Sequence, residues 1–165
     1  GTRAVAGVST GGYGAMAHAA RHPGVFTAAA SYSGILDTMA PGVPSLVDAI
    51  VARENLAPTS LWGNPILNLL TWRDFNPRDR ATGLRGTALY VSQGSGLAGG
   101  TGDWLPEALE SVLWPSAHGF ADTLALLRIP VTTHFYSGGG HSWAYWKQEF
   151  TASWPMLARA LGVPV

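Results

Sequence analysis

Residues 5–16 read VAGVSTGGYGAM, a short apolar run that meets a serine and then a pair of glycines. The run Arg3–Val8 has the small and β-branched residues of a buried strand, and Gly11–His22 reads as an alanine-rich helix. Between them, residues 7–11 match the pattern G-x-S-x-G. This pattern, at a turn from a strand into a helix, is typical of a nucleophile elbow. The sequence therefore predicts that Ser9 lies exposed at the apex of such a turn.

The residues around the serine fit this interpretation. We expect Gly7 and Gly11 to be required because side chains there would collide with neighbouring backbone. The Thr10 amide would lie at a helix N-terminus, where it could donate to a developing oxyanion. The alternative is a glycine-rich turn in which Ser9 only caps the helix.

A nucleophilic serine needs a base, and His141 is the candidate. It follows the last predicted strand in the loop SGGGHSW, and sites in parallel sheets assemble at the carboxyl ends of the strands. Two other histidines are too close along the chain to fold back onto Ser9, and two lie within a predicted helix and a predicted strand as packing or surface residues. These four are His18, His22, His118 and His134.

The base needs an acid that orients it. In hydrolases with a nucleophile elbow, this acid lies between the serine and the histidine along the chain. Asp103, Glu107 and Glu110 all follow the third predicted strand. Glu107 and Glu110 are about one helical turn apart, so both could face the same side. The residues alone leave the three alternatives open.

Strand-like and helical segments alternate along the chain, and the strands are apolar on both sides. This pattern predicts an α/β fold, with a parallel sheet covered by helices on both faces, in a single domain over residues 1–165. The remaining predicted strands are Phe26–Ser33, Thr87–Gln93 and Val131–Ser137.

The other predicted helices are less regular. Residues 34–86 should be mostly irregular, with Ser45–Arg53 as their one good short helix. Pro115 should separate the helices Pro106–Leu113 and Ser116–Leu127. A last helix follows His141, and Pro155 is a point at which it could restart.

The composition narrows the function classes. Charged residues make up 12% of the chain and apolar residues 47%, which suggests an exposed apolar face for a partner, a lipid or a further part of the protein. Ten acidic and ten basic residues balance, so no net field attracts nucleic acid. There is no cysteine, and no ligand spacing indicates a metal or a cofactor.

Five segments carry a resemblance to a known family: AVAGVSTGGYGAMAHAARHP, YSGILD with GVPSLV, LWGNP, ALYVSQGSG and GGGHSWAYWKQEF. Over nearly its whole length the chain resembles the antigen 85 mycolyltransferases and the wider esterase D-like group of α/β-hydrolases. The most specific segment is His-Ser-Trp-x-Tyr-Trp at residues 141–146.

The resemblance implies residue roles. It makes Ser9 the nucleophile and His141 the base. The family's glutamate segment, P-x-x-F-L-E, aligns best with Pro106-Glu-Ala-Leu-Glu110, one residue shorter, which implies Glu110 as the acid and Glu107 as the second choice. Trp143 matches a tryptophan that lines the acyl-acceptor site of the mycolyltransferases.

The resemblance also implies a serine esterase or acyltransferase that acts on an ester or acyl-lipid substrate, with water or a sugar hydroxyl as acceptor, outside the cell. Two departures matter. The elbow continues GGYGA rather than Ala-Gly-Ser-Ser, which favours the general esterases. The family also has several strands before the elbow, so we expect this chain to be the C-terminal part of a larger hydrolase or one chain of an associated pair.

Two other functions compete with this interpretation. The first is nucleotide binding, because Gly94-Ser-Gly96-Leu-Ala-Gly99 matches G-x-G-x-x-G directly after a predicted strand. Against it, the loop continues after the motif, and the next strand lacks the acidic residue that would hold a ribose. The second is a non-catalytic module that binds carbohydrate or lipid on a hydrolase scaffold, which the low charge and the many tryptophans would suit. In an enzyme, an apolar acyl site could instead be lined by Trp62, Trp104, Trp114 and Trp143.

Overall fold

The computed structural model describes residues 1–97 and 104–164. Within these residues the order of elements is β1, α1, β2, α2, α3, β3, α4, β4 and α5, with two short 3₁₀ turns at Pro58–Ser60 and Ala81–Leu84. The strands β1 to β4 are Ala4–Val8, Ala28–Tyr32, Ala88–Gly94 and Thr132–Tyr136. The helices α1 to α5 are Thr10–Arg21, Val43–Arg53, Leu69–Asp74, Trp104–Leu126 and Trp143–Leu161.

The four strands form one parallel sheet in the order β1-β2-β3-β4. Helices α1 and α4 pack on one face, where Met16 and Phe120 are buried, and α5 packs on the other through Trp146 and Leu157. Strand β2 is buried at every position. The predicted α/β fold with helices on both faces is therefore confirmed, because only a doubly covered parallel sheet makes such strands apolar throughout.

The predicted break at Pro115 is wrong, and the restart considered at Pro155 does not occur. Helix α4 runs without interruption through Pro115, and α5 runs through Pro155. Pro115 is exposed, and although it removes one helical hydrogen bond, burial of residues on either side, such as Leu113 and Ala117, holds the helix against the sheet.

The region from residue 34 to residue 86 also holds more structure than the sequence indicates. Besides α2, it contains α3, which is only six residues long. Trp72 on α3 is 1% exposed and packs with Val43 and Leu113. Tertiary packing around this indole therefore stabilises a helix too short to form by itself.

Among the described residues, β1 pairs only with β2, so its outer edge has no strand beside it. Next to this edge lies a trough of about 570 Å³ between β1 and α5, bordered by Ala6, Tyr32, Trp143 and Phe150 among others. The trough is largely apolar, and Lys147 is the one basic side chain among the described residues that line it. A bare edge beside an apolar trough is a surface that proteins normally cover.

Apolar side chains are also exposed elsewhere. Ile66, Leu67 and Leu70 are each more than 80% exposed, in a stretch from residue 55 to residue 72 that contains no charged residue. No helix within residues 1–97 and 104–164 is both long and apolar enough to cross a bilayer.

Candidate active site

Ser9 lies at the turn between β1 and α1, in a backbone conformation unusual for its type. Its φ is 53° and its ψ is −125°. Residues other than glycine seldom adopt this region, which costs roughly 1–3 kcal/mol. The surroundings hold it there: the Ser9 amide donates to the Tyr32 carbonyl at 2.9 Å, and the Tyr13 amide donates to the Ser9 carbonyl at 3.1 Å. A strained serine between a parallel strand and a helix has the geometry that the nucleophile elbow requires.

The glycines of the turn are not equally constrained. A Cβ on Gly7 would lie 2.1 Å from the Gly11 carbonyl oxygen, so no side chain fits there. A Cβ on Gly11 would meet no described atom within 4 Å, which contradicts the expectation that both glycines of the pattern are crowded. Gly12 is the second crowded position, because its Cβ would lie 2.6 Å from Ser31 Oγ.

Three of the residues that the sequence singles out lie in one hydrogen-bonded chain. His141 Nε2 lies 2.8 Å from Ser9 Oγ, and His141 Nδ1 lies 2.8 Å from Glu110 Oε1. The Glu110 side chain is fully buried and that of His141 is 10% exposed. With the imidazole proton on Nδ1, where it donates to the carboxylate, the Nε2 lone pair faces the serine hydroxyl.

The structure separates the candidate acids. The carboxylate that contacts His141 belongs to Glu110, which projects from the second turn of α4. Glu107 is half-buried one turn earlier, and its backbone carbonyl accepts a hydrogen bond from Ser111. Asp103 lies outside the described residues.

Glu110 Oε2 has its own partners. The Gln93 side-chain amide donates to it at 2.5 Å, and the Gly94 backbone amide donates at 3.0 Å. Both donors come from the carboxyl end of β3, and Gln93 is fully buried. Glu110 Oε2 therefore bonds to β3, and Oε1 contacts the histidine. Sequence reasoning missed Gln93, for which the one signal was a large polar residue at the end of the apolar run ALYVSQ.

The loop that carries His141 is fastened to the loop after β3. The Gly138 amide donates to Ser95 Oγ at 2.8 Å, and the Gly96 amide donates to the Gly138 carbonyl at 3.1 Å. The His141 amide donates to the Pro106 carbonyl at the start of α4. These bonds use Ser95 and Gly96, in the first part of the glycine motif considered for nucleotide binding. Residues 98 and 99 of that motif lie outside the described residues.

Two tryptophans flank the histidine. The Trp146 ring stands perpendicular to the His141 ring, with centroids 4.9 Å apart, and its indole N–H donates to Ser33 Oγ at 3.2 Å. Trp143 packs edge-on against Trp146 and is 64% exposed. Trp143 lines the trough beside β1 and is not among the residues that line the cavity at Ser9.

Two cavities adjoin the serine. The first, about 290 Å³, is lined by Ser9, His141 and the basic Arg53 and is otherwise largely aliphatic, with Leu105 and Leu109 from α4. The second, about 230 Å³, exposes only apolar atoms and reaches Trp62. Three residues line both cavities, which makes them neighbours: Thr10, Ile35 and Ile50. Of the four tryptophans considered for an acyl site, Trp62 is the one that lies on these cavities.

The Tyr136 phenol lies near Glu110. Burial raises the pKa of its phenol well above the usual value, and the negative charges of Glu110 and Glu149 raise that pKa further. The phenol therefore stays neutral beside Glu110 at physiological pH, and it adds no second negative charge to the site.

The other four histidines do not take part in the contacts around Ser9. His118 packs against Trp114 and Phe135, and His134 lies 2.8 Å from the buried Glu149 carboxylate. His18 and His22 are exposed on and just after α1. No group of three metal-ligating side chains occurs within residues 1–97 and 104–164.

With this geometry established, comparison with known proteins gives the family. The family model described as "Putative esterase" matches residues 1–157. The chain belongs to this esterase family. The Diacylglycerol acyltransferase/mycolyltransferase Ag85B of Mycolicibacterium smegmatis is 29% identical over an alignment that covers 96% of this chain and 51% of that protein. The chain thus spans about half the length of this curated relative.

Solved structures agree on the fold. MPT51 (FbpC1) of Mycobacterium tuberculosis superposes with a TM-score of 0.79 at 24% identity, covering 95% of this chain and 59% of that one. The fluorophosphonate-binding serine hydrolase FphF of Staphylococcus aureus gives a TM-score of 0.64 at 18% identity, covering 93% of this chain and 53% of that one. The esterase family and the antigen 85 resemblance expected from the sequence are confirmed.

Proposed function

We propose that this esterase-family chain carries the catalytic triad of a serine esterase or acyltransferase, with Ser9 as nucleophile, His141 as base and Glu110 as acid. The observation that carries the proposal is the continuous pair of 2.8 Å contacts from Ser9 through His141 to Glu110. A serine hydroxyl is a weak nucleophile unless a neighbouring base takes its proton, and this arrangement supplies such a base.

The reaction proceeds in two halves. Ser9 Oγ attacks the ester carbonyl carbon while His141 Nε2 takes the hydroxyl proton, and Glu110 stabilises the imidazolium that forms. The tetrahedral intermediate collapses when the C–O bond to the alcohol breaks and His141 returns the proton to the leaving oxygen. Water or an acceptor hydroxyl then attacks the acyl-serine ester, with His141 again taking and returning the proton.

The developing oxyanion needs donors, and we assign the first to the Thr10 amide. Thr10 opens α1, so its N–H is one of those that the helix itself leaves unused. Removal of one such donor typically costs about 10²–10³ in kcat. In this proposal a second amide comes from a part of the protein beyond these 165 residues.

The acyl group occupies the two cavities next to Ser9. The cavity that reaches Trp62 exposes no polar atoms, so it favours an aliphatic or aromatic acyl chain over a charged one. The acceptor approaches from the side of Trp143, whose exposed ring offers a stacking surface for a sugar or for a second lipid.

The bare edge of β1 receives a further strand, from the same polypeptide or from a companion chain, and the Trp143 ring stays open to the acceptor. The support is the unpaired edge itself together with the apolar lining of the trough. The resemblance to the antigen 85 group further implies action outside the cell, and the presence of the protein in the culture medium of its source organism would support this part of the proposal.

Hydrolysis of nitrophenyl esters by the full-length protein tests the proposed function. Wild type should release nitrophenol, whereas Ser9→Ala and His141→Ala should each lose about 10³-fold or more in kcat. Thr82→Ala, exposed in the 3₁₀ turn before β3, is the matched control and should behave as wild type. A Ser9→Ala protein with wild-type turnover would overturn the proposal, and a folded wild type without turnover would favour a binding module.

A further inference from the structure

We infer that Gln93 is a positioning residue for the acid, and that its side-chain amide holds the Glu110 carboxylate in the orientation that serves His141. This inference rests on the proposed function, because it assigns a role within the same triad. It concerns a residue that the motif pattern does not include.

The evidence begins with the geometry of the carboxylate. Glu110 Oε1 faces His141 Nδ1 at 2.8 Å, whereas Oε2 accepts from Gln93 Nε2 at 2.5 Å and from the Gly94 amide at 3.0 Å. A carboxylate at the end of a flexible glutamate side chain could rotate and offer either oxygen. Donors fixed on one oxygen leave the other for the imidazole.

The amide orientation of Gln93 is itself determined. Its Nε2 also approaches the backbone carbonyls of Gly94 and Glu110, at 3.2 Å and 3.4 Å. Exchange of the nitrogen and oxygen would place the amide oxygen against these two acceptors and the carboxylate. The cost of the observed orientation is that Gln93 Oε1 is buried without a hydrogen-bond partner among the described residues.

That unpaired oxygen is the second observation. A buried polar atom without a partner costs roughly 1–3 kcal/mol, and an apolar side chain at the end of β3 would avoid this cost. The glutamine accepts this local cost while it supplies a donor to the buried Glu110 carboxylate. Such an exchange is typical of functional sites, where a local penalty persists because a neighbouring group needs it.

The site leaves little room for other solutions. Gln93 is fully buried at the end of a central strand, and a Cβ on Gly94 would lie 2.8 Å from the Gly138 carbonyl oxygen and 3.3 Å from Glu110 Oε2. The carboxylate thus approaches the backbone closely at Gly94, and the side chain of Gln93 closes the remaining side. Gln93 acts on the reaction only through Glu110 and does not touch the serine.

Two substitutions in the full-length protein test this inference. Gln93→Met removes the donor at similar volume, and we expect kcat on nitrophenyl butyrate to fall about 10- to 100-fold, with KM within about threefold of wild type. Gln93→Glu keeps the shape but puts a second carboxyl against Glu110. Two carboxyls at this distance share a proton, so the activity of this variant relative to wild type should fall steeply as the pH rises.

The matched control is Ser92→Ala, the preceding residue of β3, whose buried hydroxyl has no hydrogen-bond partner among the described residues. It should retain wild-type kcat. If Gln93→Met keeps wild-type kcat, or if Gln93→Met and Gln93→Glu lose the same activity at every pH in proportion to a lower melting temperature, the inference is wrong. If wild type itself shows no Ser9-dependent turnover, the proposed function fails first, and the two failures are thereby distinguished.

Discussion

His141 Nε2 lies 2.8 Å from Ser9 Oγ, although 132 positions separate the two residues along the chain. Ser9 follows β1 at one edge of the sheet and His141 follows β4 at the other edge. The loop after β4 must therefore return across the ends of β3 and β2 to deliver the imidazole. The contact depends on the backbone of that loop as much as on the two side chains.

Gly139 makes this return possible, and its replacement should lower activity by more than any loss of stability explains. Its φ is 86°, and a Cβ there would lie 2.6 Å from the Tyr136 ring. Gly139→Ala should displace His141 and lower kcat at least about tenfold, since small displacements of a catalytic group cost that much or more. Steady-state kinetics and thermal unfolding of the same samples measure the two effects.

The control for this change is Gly86→Ala. Gly86 has a φ of 82°, but a Cβ there would meet no described atom within 4 Å, and it lies in the turn before β3. Both variants carry the left-handed backbone penalty of about 1 kcal/mol, but only Gly139 lies in the loop that carries His141. Equal kcat values for the two variants would show that the loop does not position His141.

The two glutamates of α4 should differ sharply. Glu110→Gln removes the charge that stabilises the imidazolium and permits the wrong histidine tautomer, so kcat should fall about 10³- to 10⁴-fold. Glu107→Gln should stay within about threefold of wild type. Turnover of a nitrophenyl ester by both variants measures this difference, and a reversed order would assign the acid to Glu107.

The apolar cavities should set the acyl chain length. Ile50 lines both of them, and Ile50→Trp should close the passage between Ser9 and Trp62. We expect kcat/KM for long nitrophenyl esters to fall about tenfold or more relative to the acetate, because each excluded methylene forfeits about 0.8 kcal/mol. Leu126→Trp, at an 85% exposed position at the end of α4, is the control, and an unchanged chain-length profile for Ile50→Trp would place the acyl group elsewhere.

Tyr13 should make the fold sensitive to alkali. Burial raises the pKa of its phenol from 10.0 to about 12, and the phenol donates to the Phe75 carbonyl at 3.0 Å. Because the folded pKa exceeds the unfolded one, its contribution to stability is complete below pH 10 and is lost as the pH rises through about 12. The free energy of unfolding should therefore fall over this interval, and less steeply in Tyr13→Phe; parallel curves for the two proteins would contradict this.

The sequence predicts the sheet and the serine turn well because both depend on local patterns. The four strands are short apolar runs, and the turn has a glycine, Gly7, that nothing else can replace. Ser9, Glu110 and His141 could be singled out, but the residues alone left Glu107 and Asp103 open as alternatives to Glu110. Which of the two glutamates faces His141 depends on how α4 is rotated about its axis. Packing of residues such as Leu113 and Phe120 sets this rotation.

Other features were beyond the sequence because they arise from tertiary contacts. Pro115 and Pro155 usually mark helix ends, but burial of their neighbours against the sheet outweighs the single lost hydrogen bond. Gln93 is inconspicuous at the end of a strand until the carboxylate of α4 is placed beside it. Trp143 could be assigned to a substrate surface from the resemblance, but its position on the trough beside β1 needed coordinates.

The proposed chemistry depends above all on Ser9 being the activated nucleophile, and covalent labelling tests this most directly. The full-length protein is treated with a fluorophosphonate and analysed by intact and peptide mass spectrometry. We predict one adduct, located on Ser9, that forms much more slowly in His141→Ala and is absent in Ser9→Ala. Labelling that persists in Ser9→Ala, or a folded wild type that acquires no adduct, would contradict the assignment of Ser9 as nucleophile.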